Sequence, residues 1–502
     1  MPHSAVVRIY ATQQEPDYDS PWQARSPARS TGSGVIIKPG QILTSAHVVA
    51  DATFIQVQRI SAPNKVMATV IGICHDADLA LLEVEDKAFM RGVKVPKLGD
   101  LPSRRDRVAV IGFPVGGDEV SITEGVVSRI EVQRYTHSQR HLLAVTVDAA
   151  INHGNSGGPV FRNGKVVGIA FQGLNDADGI GELVPPPIIK NFLAGIKTTP
   201  QMKLPTLGVT TQNVENPMLR ERLGMRANES GVLVLKVEYG SSSWGHVKEG
   251  DTLLKIGGSK IANNCTINYR KKHRTRFDVT LGEKRVGDTL PLLVLRDGKR
   301  IQLSLELKEK VELVPRAQYD TTPSFYIFGG LVFQILCRDY LATWDSWWEK
   351  APKEFLHTYY SGSVTATKQE TIILCQILAD EVNVGYEGLY SESIASVNGK
   401  KVRDMKHFVS LIEGSKETVE IRTSSNSIIV LNVEEVHKRS AAILDRYRIE
   451  RDRSLDLLPA KGKVAAKAIK PRKKAAKKQT GKGKGKTEPG QKKRSTLRAA
   501  SN

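Results

Sequence analysis

Cysteine is scarce in this chain, four in 502 residues, and the four (Cys74, Cys265, Cys337 and Cys375) are widely spaced. No C-x-x-C pair occurs, so neither a thiolate metal site nor a disulfide framework is legible, and the mostly apolar neighbourhoods predict buried thiols. Long hydrophobic runs are missing too. The nearest approach, Phe325–Leu336, is shorter than the roughly 18 apolar residues of a membrane helix, so no membrane partner is expected. The first residues, Met1-Pro2-His3-Ser4-Ala5-Val6-Val7-Arg8, do not follow the basic-then-apolar order of a secretory leader. These absences lead us to expect a soluble protein in a reducing compartment: the cytoplasm of a bacterium, or the cytoplasm or nucleus of a eukaryotic cell.

Acidic residues are nearly absent from one region. Residues 460–502 hold sixteen Lys and Arg against Glu488 alone, so +15 of the formal charge of +20 lies there and the rest of the chain is almost balanced. A stretch of Lys, Ala, Gly, Pro and Ser without apolar anchors buries too little surface to fold, and disorder is predicted. Such a polycation binds nucleic acid or other polyanions through counterion release without reading sequence. Gly485-Lys486-Thr487 is not a phosphate loop, because the first glycine of that motif would fall on Thr480 and no strand precedes it. No cofactor and no metal are expected.

What is present is punctuation by glycine and short apolar strands. The length suits about three domains, each with its own core. Up to about residue 186 the strands are short and separated by Gly, Asp and Asn, the spacing of an all-β sandwich or barrel, and helix is first evident at Pro187–Lys197. Three stretches stand out there. Thr44-Ser45-Ala46-His47-Val48-Val49 comes first, then His75-Asp76-Ala77-Asp78-Leu79-Ala80-Leu81-Leu82, then Asn152-His153-Gly154-Asn155-Ser156-Gly157-Gly158-Pro159. The last presents one serine in a glycine-rich turn, and a serine attacks a carbonyl only if a base takes its proton and donors await the oxyanion. His, Asp, Ser is one of the chain orders of a serine triad.

TSAHVV, DLALL and GNSGGP at these separations resemble the Deg/HtrA family of ATP-independent serine proteases. The resemblance implies a trypsin-like domain of two six-stranded β-barrels over residues 1–200. Ser156 would be the nucleophile, His47 the general base and Asp78 the residue that orients the imidazole. Asp76, two positions earlier, is the rival carboxylate, read as a solvated turn residue. His75 and His153 are read as surface or loop histidines. The oxyanion hole falls on Gly154, Asn155 and Ser156. Ile151, with Ile169, Ala170 and Phe171 from the next strand, suggests an apolar pocket and cleavage after small or medium aliphatic residues. The loop Gln172–Glu182 is the expected mobile element.

Farther on, Gly231-Val232-Leu233-Val234 with Gly250-Asp251 resembles a Deg-type PDZ domain over 201–310, the first four being the expected carboxylate-binding loop. Its basic insert Tyr269–Arg276 reads as a solvated loop. A divergent second copy over 311–440 offers Phe328-Gly329-Gly330-Leu331 as a similar loop, with an aromatic, helical insert around Trp344, Trp347 and Trp348. A linker or helix is expected at 441–459 and the basic tail beyond it. With Pro21-Trp22-Gln23 the layout is similar to the plant nuclear branch of Deg proteases. It implies protein and peptide substrates and a homo-oligomer built from trimers.

Overall fold

The computed structural model describes residues 2–60, 62–114, 119–152, 154–173 and 179–458. The basic tail, His153 and the middle of the Gln172–Glu182 loop lie outside the described residues.

Alternation of apolar and polar residues makes strands here. Val6–Gln13 buries Val6, Val7, Ile9 and Ala11 and leaves Arg8, Tyr10, Thr12 and Gln13 partly exposed. This strand lies third in a seven-stranded antiparallel sheet, ordered Val66–Met67, Ala52–Arg59, Val6–Gln13, Ala28–Lys38, Gln41–Thr44, Leu79–Glu83, Thr69–Cys74. The two outer strands are parted in sequence only by Ala68, so the chain itself joins the ends of the sheet. A six-stranded first barrel was the expectation; the extra strand arises because the chain breaks at Ala68, whose N–H turns to Ile55 O at 3.1 Å. The second half is a closed barrel of six strands, Arg107–Gly112, Ser121–Arg134, His141–Val147, Pro159–Arg162, Lys165–Gly173 and Gly181–Val184. Tyr135, Phe171, Ile188 and Phe192 share one apolar core with the first sheet, which fixes the cleft between the two halves.

A five-strand antiparallel path follows, ordered Val209–Asn213, Val232–Val237, Thr252–Ile256, Thr289–Arg296, Lys299–Glu306. The basic insert is not a solvated loop. It forms the hairpin Thr266–Tyr269/His273–Arg276, and Thr275 Oγ1 accepts the N–H of Val132 from the second barrel at 2.7 Å. Alternation explains this: Arg274 and Arg276 are exposed, while Thr275 between them is 4% exposed and faces the barrel.

The last module is a sheet ordered Phe325–Phe328, Leu331–Ile335, Ile372–Ile377, Glu392–Val397, Thr418–Thr423, Ile428–Asn432. The aromatic insert is helical as expected, with Arg338–Leu341, Trp347–Lys350 and Lys353–Ser361; Trp344 and Trp347 pack on a core with Tyr18 and Phe355, and Trp348 is exposed. Residues 441–457 are not a linker. Helix Val433–Arg446 buries Ile443, Ile449 joins the same core, and the chain returns along the outer edge of Phe325–Phe328, where Ile327 N–H donates to Asp452 O at 2.6 Å and Ser454 N–H to Phe325 O at 3.0 Å.

The Thr275 contact gives a test of docking between barrel and insert. Thr275→Val keeps the shape and removes the acceptor of a buried N–H, so chemical denaturation should show a loss of about 1–3 kcal/mol.

Candidate active site

The register of two strands builds the first half of the site. Gln41–Thr44 pairs antiparallel with Leu79–Glu83, Thr44 opposite Ala80, so residues just after the one and just before the other lie at the same end of the sheet. The four-residue helix Ala46–Val49 then carries His47, and Asp78 precedes its strand in the left-handed conformation at φ 52°. Asp78 is 1% exposed and grips His47 twice: Oδ2 lies 2.7 Å from the ring Nδ1 and Oδ1 accepts the His47 N–H at 2.9 Å. Gln13 Nε2 donates to His47 O at 3.2 Å and to Ala50 O at 3.0 Å, fixing the helix from below.

Ser156 comes from the second barrel and is locked to the first through Ser33, which is fully buried. Ser33 N–H donates to Ser156 O at 2.8 Å, its hydroxyl donates to Gly154 O at 2.7 Å, and the hydroxyl accepts Phe113 N–H at 2.8 Å. Gly157 sits at φ 81°, and a Cβ there would lie 2.2 Å from both Ser33 O and Thr44 Oγ1, so only glycine passes between the two halves. Among the described residues, the N–H groups of Gly154 and Ser156 donate to no acceptor. Asn155 departs from the expectation: its N–H closes the turn on Asn152 O at 2.9 Å and is no free donor. Ser156 Oγ forms no hydrogen bond to His47 here, a contact that substrate-free sites often make loosely.

Comparison with known proteins agrees with this geometry. Residues 32–169 match a trypsin-like peptidase domain, and 205–307 and 314–456 each match a PDZ domain. Putative protease Do-like 3, mitochondrial, of Arabidopsis thaliana is 36% identical over 461 residues, covering 91% of this chain and 80% of that protein. Protease Do-like 2, chloroplastic, from the same plant is 37% identical, covering 91% and 75%. The chain belongs to the Deg/HtrA family of serine proteases. As a Deg/HtrA protein it is a serine endopeptidase with two PDZ domains.

Several expected features of this Deg/HtrA chain lie elsewhere than the sequence suggested. Asp76 is partly exposed and lies outside the site: it accepts Leu204 N–H at 2.7 Å and faces Arg140 at 3.5 Å, tying the segment after the barrels in place. Of the pocket residues only Ile151 is partly exposed. Ile169 and Ala170 are fully buried and Phe171 is 3% exposed, its ring 4.3 Å from Tyr135. Strand alternation sends Ile169 and Phe171 into the core between the halves and Ala170 into the second barrel. Ile151 instead covers Gly181, where a Cβ would lie 2.4 Å from its side chain.

The carboxylate loop also moves. Gly231 abuts Leu253 O, and Val232–Val237 is paired on both sides, with Val209–Asn213 and with Thr252–Ile256, so its backbone is not open to a peptide. Val209–Asn213 is the edge strand of this PDZ domain. In the second domain Gly329-Gly330, at φ 58° and 81°, form a two-residue hairpin turn between Phe328 and Leu331 and not a carboxylate loop.

His75 is no bare loop histidine. Its Nδ1 lies 3.0 Å from His137 Nε2 and its Nε2 lies 2.8 Å from Asp320 Oδ2. His137, Tyr319 and Asp320 carried no local signal, being brought together across 245 residues of chain. Among the described residues, no group of His, Cys, Asp and Glu is arranged to hold a metal ion.

Burial draws the His47 imidazole down, but the Asp78 charge and hydrogen bond outweigh it and leave His47 above its ordinary 6.5. For Asp78, burial pushes upward, and the His47 and His137 charges with the bonds to His47 hold it net below the usual carboxylate range. His47 takes a proton only when neutral, so kcat/KM should fall as pH drops through a midpoint above 6.5. Asp78→Asn should move that midpoint down and lower kcat by about 10⁴-fold, measured on a peptide substrate across pH.

Proposed function

We propose that the chain hydrolyses exposed peptide segments through Ser156, His47 and Asp78, without ATP, clearing misfolded or selected proteins. His47 withdraws the Ser156 proton as the hydroxyl attacks the carbonyl, and Asp78 stabilises the imidazolium that forms. The amides of Gly154 and Ser156 receive the oxyanion. His47 then returns the proton to the leaving amine, and water repeats the sequence on the acyl-enzyme. The observation that carries this reading is the two-point grip of buried Asp78 on His47 beside a serine turn in which, among the described residues, the amides of Gly154 and Ser156 meet no acceptor.

ATP independence follows the family resemblance. Ile151 above Gly181 supports a shallow apolar pocket, and with it cleavage after Val, Ala, Leu or Ile. The free edge of Val209–Asn213 supports capture of peptide C-termini by strand addition to the first PDZ domain. In the second PDZ domain the strand at the corresponding place, Leu331–Ile335, is already paired on its outer side by Phe325–Phe328. A homo-oligomer built from trimers is part of the same reading.

Casein turnover by the wild type and by Ser156→Ala tests the core of the proposal: activity in the first and none above background in the second is expected, and equal activity in both refutes it. In a peptide library, cleavage should concentrate after aliphatic residues, and a preference for Arg or Lys would contradict the pocket.

The concentration of +15 charge in 460–502 supports a second property, loose binding to nucleic acid or another polyanion. Retention on immobilised DNA should weaken steeply with salt and vanish when 460–502 are deleted; retention unchanged by the deletion rejects it.

A further inference from the structure

The leading segment of the second PDZ domain, ahead of its first strand Phe325–Phe328, reaches back to the catalytic histidine. Tyr319 stacks on His137 at 4.0 Å between ring centres and on His75 at 4.8 Å, and its hydroxyl donates to His137 O at 3.0 Å. The His137 ring in turn lies 6.0 Å from that of His47. Asp320 holds His75 at 2.8 Å and is itself held by a reciprocal pair with Asp51: each backbone N–H donates to the other's carboxylate at 2.7 Å. Arg316, from the same segment, donates to Gln139 O at 2.6 Å. His137 and Gln139 belong to the turn that joins strands Ser121–Arg134 and His141–Val147.

These bonds fix proton positions. The Asp320 carboxylate only accepts, so His75 carries a proton on Nε2. Its Nδ1 faces His137 Nε2, so one of the two rings donates to the other and the pair is held in register. The ionisable groups facing His137 are His47 and Asp78 from the first sheet, His75 from the turn before Asp78, and Tyr319 and Asp320 from the leading segment of the second PDZ domain. Burial pushes His137 down to about 4, the neighbouring His75 and His47 push the same way, and Asp78 and Asp320 oppose them.

We propose that Tyr319 and Asp320 are positioning residues for peptide hydrolysis, holding through His75 and His137 a stacked imidazole beside His47, so that full catalytic power requires the leading segment of the second PDZ domain to be docked. The chemical reason is the charge His47 acquires in the transition state. A neutral ring at this distance does not oppose an imidazolium, whereas a second cation would. Undocking would hydrate His137 and return it toward the ordinary imidazole range, placing that cation beside the base at mildly acid pH. Movement of the second PDZ domain would then be read directly at the active site.

This inference rests on the triad reading, and the wild type against Ser156→Ala separates failure of that reading from failure of this one. The experiment is the pH dependence of kcat/KM on a fluorogenic peptide for the full chain. Wild type should show an acid limb governed by one proton. Tyr319→Ala and Asp320→Ala, which remove the stack and the bonds to His75 and Asp51, should each give an acid limb that steepens to two protons as pH falls through the ordinary imidazole range, where wild type continues with one, with KM little changed. Adding His137→Phe, which keeps a ring and cannot ionise, should restore the one-proton limb in both backgrounds. Tyr319→Phe, which keeps the stack, should follow wild type. A merely structural role would lower activity at every pH and would not be rescued. Acid limbs of Tyr319→Ala and Asp320→Ala that superimpose on wild type, or that His137→Phe fails to restore, overturn the proposal; should Tyr319→Ala not fold, Asp320→Ala alone decides.

Discussion

One buried carboxylate sets the terms for this molecule. Asp78 is almost entirely removed from water, a placement that is costly for a charge unless hydrogen bonds compensate. Two donors of one residue, the backbone and ring N–H of His47, supply that compensation. The same contact that offsets the burial of Asp78 therefore fixes the tautomer and orientation of the base. Much of the nearby structure serves this contact: the register that places Thr44 opposite Ala80, the left-handed backbone at Asp78, and Gln13 beneath the short helix. Ser33 then fastens the nucleophile turn to the same sheet, so stability and catalytic geometry share their residues.

The triad was legible because its signals are local. A strand ending in Thr-Ser-Ala-His, an Asp directly before Leu-Ala-Leu-Leu and a serine among glycines each mark a short piece of backbone, and strand pairing does the rest. Fold class was legible for the same reason, through alternation and turn residues. Pairing partners were not. Val232–Val237 and Val209–Asn213 read equally well as strands, and only the sheet order shows which is shielded and which is an edge. The side from which Ile169 and Phe171 are covered likewise depends on the other half of the protease domain. The cluster around His137 has no sequence period at all, since it joins a turn of the second barrel, a turn of the first sheet and the leading segment of the second PDZ domain.

The two PDZ domains are built alike and finished differently. Among the described residues, the first leaves Val209–Asn213 unpaired on one side, while in the second the corresponding strand, Leu331–Ile335, is covered by Phe325–Phe328. Edge strands are ready templates for an added peptide, so covering one and leaving the other open divides the work between them. The open edge of the first is the one that the proposed capture of peptide C-termini uses. The second is fastened to the protease domain through its own leading segment, with Arg316, Tyr319 and Asp320 all bonded to residues of the protease half. On the proposed reading, recognition and alignment of the base lie in separate modules.

The claim on which everything else stands is that the grip of Asp78 on His47 makes Ser156 a nucleophile. Reaction of the folded chain with a fluorophosphonate, followed by mass spectrometry, tests it most directly, because that reagent is attacked only by an activated hydroxyl. The expected result is a single adduct on the peptide bearing Ser156, absent from His47→Ala and strongly slowed in Asp78→Asn. An adduct on another serine, or labelling of Ser156 that persists unchanged without His47, would contradict it.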